Sequence, residues 1–89
     1  MQNYYNEKNV NYNYLCSYVK TFFDKEKIEF YNTLFNTSMS FSNSLINVRE
    51  FFFKLQKGLT NEELIQILSN FTSTPEELFE YMIINGFIE

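Results

Sequence analysis

The sequence predicts an all-α fold: a small single-domain bundle of four or five short helices, the last three forming a trihelical, helix-turn-helix-like unit. Three observations carry this expectation. Apolar residues recur at helical spacing through much of the 89-residue chain. Two Thr-x-Glu-Glu-Leu segments, fourteen residues apart, mark helix starts. Two glycines and one proline argue against the many tight turns of an all-β protein.

Residues 1–12 mix Asn, Tyr and charge without clean periodicity and are expected to be a loosely ordered N-terminus. Residues 13–36 read as a helical pair. Leu15, Val19 and Phe22 share one helical face with Tyr18 beside them; after Asp24, Ile28, Tyr31, Leu34 and Phe35 repeat at helical spacing. Ile28 to Phe35 also has strand-like composition. Residues 37–43 are the expected loop, because Ser, Thr and Asn offer the backbone competing hydrogen bonds. Met39 and Phe41 would pin it to the core.

Residues 44–88 form the expected trihelical unit. Asn43 or Ser42 caps a helix running to Lys57, with Leu45, Val48, Phe52 and Leu55 as its stripe and Phe51 at the edge. Gly58 closes it, and Lys54 and Lys57 suit its C-terminal dipole. Thr60-Asn-Glu-Glu63 and Thr74-Pro-Glu-Glu77 read as capping boxes opening helices near 61–70 and 75–84, the second with Pro75 at its first position. Asn85-Gly86 stops the last helix, and Phe87-Ile88 folds back on the core.

Composition narrows the functional classes. The chain has no Ala and twelve Asn, the mark of an AT-rich genome, and without the best helix former its helices must be held by tertiary packing. Eleven Phe and seven Tyr supply core area. One Cys and no His leave neither a disulfide nor the usual zinc ligand set, and nothing to activate Cys16 as a nucleophile. The start lacks an apolar signal segment, and no apolar run approaches the roughly 20 residues of a membrane span, so a cytoplasmic protein is expected. There is no Gly-rich phosphate loop, and Glu62/Glu63 and Glu76/Glu77 lack the desolvating neighbours of a glycosidase pair. The expectation is a non-enzymatic protein without cofactor or metal.

Charge is segregated. Residues 1–57 hold seven basic and five acidic side chains, net +2. From Gly58 onward there are six carboxylates (Glu62, Glu63, Glu76, Glu77, Glu80 and Glu89) and no Lys or Arg, net −6, which together make the overall −4. Helix starts favour carboxylates and account for Glu62, Glu63, Glu76 and Glu77, but not for the lack of any cation over 32 residues. The lysines at 8, 20, 25 and 27 are interleaved with acids and make only a weak field.

The stretch from Leu59-Thr-Asn-Glu-Glu-Leu through Ser73-Thr-Pro-Glu-Glu-Leu to Asn85-Gly-Phe-Ile resembles the three-helix core of winged-helix regulators, over residues 44–88. The resemblance implies DNA binding. Its would-be recognition helix, however, carries Glu76, Glu77 and Glu80 where base and phosphate contacts need Arg, Lys, Asn or Gln, and no wing is expected after Glu89. The same stretch is loosely similar to the helical leader domain of Nif11-type peptides, without their double-Gly site or Cys-rich core.

A second set of apolar residues falls outside the main stripes: Ile46 and Phe53, seven apart, and Phe79 and Ile83 in the last helix. A helix apolar on more than one face is central to its bundle or shares a face with another chain. The expected function is a protein-binding module whose partner surface draws on Glu62, Glu63, Glu76, Glu77, Glu80, Phe79, Ile83, Ile46 and Phe53. A mobile-element product that inhibits or adapts a host protein, in the manner of anti-CRISPR inhibitors mimicking nucleic acid, fits size, charge and codon bias. Its partner would then present a basic nucleic-acid-binding groove; direct nucleic-acid binding and membrane association are not expected. The alternatives are a dimeric helix-turn-helix regulator, which needs Arg49, Lys54, Lys57 and the N-terminal lysines on one face, and a self-assembling helical subunit.

Overall fold

The structure, a computed structural model, describes residues 11–44 and 46–89. Its described elements run β1 (Tyr12–Asn13), β2 (Val19–Phe23), β3 (Lys27–Asn32), β4 (Thr37–Ser42), α1 (Val48–Lys57), β5 (Leu59–Thr60), α2 (Asn61–Leu68) and α3 (Pro75–Ile84). The fold is therefore mixed α/β, and the all-α expectation is wrong. The N-terminal half is an antiparallel meander in the order β2-β3-β4, and β1 pairs with β5 in a separate ribbon.

The correction has a plain physical cause. In β3, Ile28, Phe30 and Asn32 are buried while Lys27 is exposed and Glu29 and Tyr31 are half-buried, the period-two alternation of a sheet with one covered face. Thr37, Met39 and Phe41 of β4 face the same side, with Ser38, Ser40 and Ser42 turned to solvent. What read as a Ser/Asn loop at 37–43 is an edge strand. The helical pair over 13–36 is β2, β3 and their connections, with Leu15 bridged to Ile88.

Asp24 and Asn36 make the turns without glycine. The Asp24 carboxylate accepts from the backbone N–H of Glu26 (2.7 Å) and Lys27 (3.0 Å), closing the β2–β3 hairpin. Those bonds hold its carboxyl below the usual range. Asn36 takes a left-handed φ of 58° at the end of the β3–β4 turn.

In the C-terminal half the expected helices are present with shifted bounds. α1 starts at Val48 under an Asn47 cap, not at Asn43 or Ser42; the Asn47 side chain accepts from Arg49 and Glu50 N–H at 3.1 Å. Gly58 closes α1 at φ 106°. Thr60 and Glu63 form the expected capping box, but Thr74 makes no side-chain cap bond, so only the first of the two boxes exists. The tail folds back: Phe87 and Ile88 are buried, and Tyr14 and Glu89 exchange backbone bonds at 2.9 and 2.8 Å.

One core joins both halves. Phe30, Phe41, Phe51 and Phe71 stack edge-on or tilted between the sheet's inner face, α1 and the 69–74 connection. Leu55, Leu64, Leu68, Met82 and Phe87 complete it with no exposed surface. Of the loosely ordered N-terminus expected over 1–12, Tyr12 instead pairs with Thr60 in the β1–β5 ribbon; residues 1–10, Lys8 among them, and the place of Leu45 in the α1 stripe lie outside the described residues.

Candidate protein-interaction surface

α3 buries Met82 and half-buries Pro75, Leu78 and Phe79. Its other side presents Glu76, Glu80 and Ile83 at i, i+4 and i+7, with Glu77, Tyr81 and Ile84 alongside. Ile84 is 71% exposed and Ile83 47%, unusual for Ile in the last turn of a docked helix. Acidic and apolar groups thus share one ridge.

A turn extends that ridge. Asn32, only 1% exposed, donates from Nδ2 to the Gly86 carbonyl (2.6 Å) and accepts at Oδ1 from the N–H of Leu34 (2.8 Å) and Phe35 (2.7 Å). Thr37 Oγ1 donates to the Asn85 carbonyl at 2.8 Å. These bonds fasten the β3–β4 turn to the end of α3, so Leu34 and Phe35, both exposed, stand beside the junction that Ile83 and Ile84 approach from the helix. Gly86 has φ 78°, and a Cβ there would collide with the Asn32 amide and lie 2.8 Å from the Phe35 ring. The turn and the helix end form one unit.

Of the residues predicted from sequence, the ridge gathers Glu76, Glu77, Glu80 and Ile83. Glu62 and Glu63 lie exposed on α2, and Glu63 is occupied: its Oε1 accepts from Thr60 N–H (2.9 Å) and Oγ1 (3.1 Å), which lowers its pKa. Phe79 and Ile46 are packed against the core. Ile46 precedes α1 and, with Phe51 and Ile67, lines a small cleft of about 210 Å³, whereas Phe53 projects on the outer side of α1. The two do not form one strip. Leu34, Phe35, Tyr81 and Ile84 were not anticipated as surface groups. The signal for the first two was their place between Asn32-Thr33 and Asn36-Thr37, turn formers on both sides of an apolar pair.

The only ion pair among the described residues joins Glu50 and Lys54 at 3.5 Å on the surface of α1. Among the described residues, no cation lies within 4 Å of Glu62, Glu76, Glu77 or Glu80. Arg49, Lys54 and Lys57 do share the outer side of α1, and the Arg49 guanidinium sits 4.4 Å over the Phe23 ring. Phe23 is on the inner sheet face, so Lys20, three residues earlier in the same strand, points to the opposite face from Arg49. Lys25 and Lys27 alternate with Asp24 and Glu26 at the hairpin.

Cys16 lies in the connection between β1 and β2 rather than on a helix, and is half-buried. No three potential metal ligands cluster among the described residues, and no described helix is long and apolar enough to cross a membrane. The chain matches no protein-family model, no curated protein and no solved structure.

Proposed function

We propose that the protein is a non-enzymatic, cytoplasmic binding module that docks onto a larger protein through the α3 ridge and the adjoining 33–36 turn. The observation that carries this reading is the exposure of Ile83, Ile84, Leu34 and Phe35 around one hydrogen-bonded junction, bordered by Glu76, Glu77 and Glu80. Clustered apolar side chains rimmed by charge are the anatomy of a protein contact: the apolar centre supplies affinity, the charges orientation and encounter rate. The complementary partner surface is an apolar pocket beside Lys or Arg. A protein whose basic groove ordinarily holds nucleic acid offers that combination, and occupying the groove would inhibit it.

The test is affinity capture from an extract of the encoding organism with three baits: the unaltered chain, Glu76→Lys/Glu77→Lys/Glu80→Lys, and Ile84→Asp. A protein retained by the first, lost by the other two and eluted by salt is the expected result. Equal retention by all three baits discards the reading.

A further inference from the structure

We propose that the outer face of α1 is itself a docking face, and that its occupant is the α3 ridge of a second copy of this chain. The proposal rests on the reading of α3 as a contact surface and names a partner for it. Arg49, Phe53 and Lys57 recur every four residues along α1, with Lys54 beside them. Phe53 is 59% exposed at the wall of an open cleft of about 450 Å³, lined also by Asn47, Arg49, Glu50, Lys54 and Lys57. Phe53 makes a tilted contact with Phe52 at 5.9 Å but stays largely in solvent, and an exposed aromatic between cations suits an interface anchor.

Charge selects the occupant. α1 carries three cations and one carboxylate, and that carboxylate, Glu50, already faces Lys54. α3 carries Glu76, Glu77 and Glu80 and no cation. Among the described residues no carboxylate of α3 comes within 4 Å of a cation of α1, so the two sets do not neutralise each other inside one chain.

Spacing fits as well. At about 1.5 Å per residue, Arg49 and Lys57 each lie about 6 Å along the helix from Phe53. On the same rise Glu80 lies about 4.5 Å from Ile83 and about 6 Å from Ile84. Seating Phe53 against Ile83 and Ile84 therefore places Glu80 opposite Lys57 when the helices run antiparallel and opposite Arg49 when they run parallel. The contact joins different patches of the two copies, which generates either a reciprocal pair or a head-to-tail chain.

The experiment is analytical ultracentrifugation of the full chain, with circular dichroism as a check of folding. The unaltered chain should self-associate at low salt, and its association constant should fall at least about tenfold by 0.5 M NaCl, since the Debye length shrinks from about 10 Å at 0.1 M to about 3 Å at 1 M. Arg49→Glu/Lys54→Glu/Lys57→Glu and Glu76→Lys/Glu77→Lys/Glu80→Lys should each be monomeric alone. Mixed in equal amounts they should associate again, because each then offers the other a charge-complementary helix.

A strict monomer of the unaltered chain up to about 1 mM, association that persists in both variants alone, or a mixture that stays monomeric overturns the proposal. If either triple variant fails to fold, the salt titration of the unaltered chain decides: salt-independent association also overturns it. The α1 variant leaves α3 intact, so its capture of a foreign protein reports on the proposed function alone, while the mixing experiment reports on self-docking alone.

Discussion

Asn32 joins the sheet, the apolar turn and the end of α3, and replacing it tests that junction. Asn32→Leu keeps the branched outline of the side chain, though it is bulkier, and deletes three hydrogen bonds, to Leu34 N–H, Phe35 N–H and the Gly86 carbonyl. At about 0.5–1.5 kcal/mol net per bond, with an added penalty where the Gly86 carbonyl stays dry, the loss is about 2–5 kcal/mol. Total stability at about 0.05–0.15 kcal/mol per residue is about 4–13 kcal/mol, so the loss is a large share of it. Asn32→Asp separates the two sides of the amide. The retained oxygen still accepts from the turn, but the second oxygen meets the Gly86 carbonyl with no hydrogen between them. A buried carboxyl in that position has its pKa raised. The penalty relative to the unaltered chain should therefore be small well below the unfolded value of about 3.9, where the protonated acid can donate. It should grow as pH rises from there to the folded pKa, and stay constant above it. Urea denaturation of both proteins from pH 3 to pH 8 reads this directly. A penalty for Asn32→Asp that is the same at every pH, or an Asn32→Leu variant within about 0.5 kcal/mol of the parent, would refute the reasoning.

Gly86→Ala attacks the same junction from the α3 side of the contact. The left-handed φ costs about 1–2 kcal/mol, and displacing the Asn32 amide and the Phe35 ring adds about 1–3 kcal/mol, giving a melting temperature lower by about 10–30 °C. Thr60→Ala removes the N-cap half of the α2 capping box and should cost about 1 kcal/mol in urea denaturation near neutral pH. Glu63 and Asp24 both have lowered pKa values. Their stabilisation is present above the unfolded carboxylate values near 4 and disappears as pH falls through the folded ones. The urea midpoint of the parent should therefore drop on acidification from pH 6 to pH 3, and less steeply in Thr60→Ala. Ile84→Asp, at a 71% exposed position, sets a carboxylate against the C-terminal dipole and four residues from Glu80, so it should cost about 0.5–1.5 kcal/mol while leaving the fold intact and abolishing partner capture.

The helical half was legible because its punctuation is chemical and local. Thr60 with Glu63, Pro75, Gly58 and Gly86 each mark a helix end by a mechanism that operates within a few residues. The sheet was not, for two reasons. In an aromatic-rich segment both periods find apolar residues: Ile28, Tyr31, Leu34 and Phe35 satisfy a helix, whereas Ile28 and Phe30 are the ones buried. No glycine precedes Gly58, so the usual hairpin signals are missing; Asp24 turns the chain with its carboxylate and Asn36 by adopting a positive φ. Thr37–Ser42 shows how composition misleads, since six residues rich in Ser still alternate inward Thr, Met and Phe with outward Ser. The carboxylates of the ridge were visible from sequence because surface charge needs no tertiary context. Leu34 and Phe35 were read at helical spacing with Ile28 and Tyr31, and only the turn reveals them as exposed.

Helix electrostatics alone do not explain α3. A helix favours carboxylates in its first turn and cations in its last. Glu76 and Glu77 obey that rule, although Thr74 makes no capping bond and Glu77 is left without the role that Glu63 performs in α2. Glu80 lies beyond the first turn, where the dipole no longer rewards negative charge. The last turn has no Lys or Arg to meet the dipole; Tyr81 stacks on Phe87 with its rim exposed, whereas Ile83 and Ile84 stand largely in solvent. α1 shows the contrasting case in the same molecule: Glu50 in its first turn, Lys54 and Lys57 in its last. Replacing Ile84 by Lys would suit the isolated helix better on both counts, solvation and dipole. Since the native choice forgoes that stabilisation, exposure at Ile84 points to a contact outside the chain. Ile84→Lys should therefore raise thermal stability by a few tenths of a kcal/mol to about 1 kcal/mol while weakening both partner capture and self-association. A variant that gains neither stability nor loses binding would return Ile84 to the class of incidental surface residues.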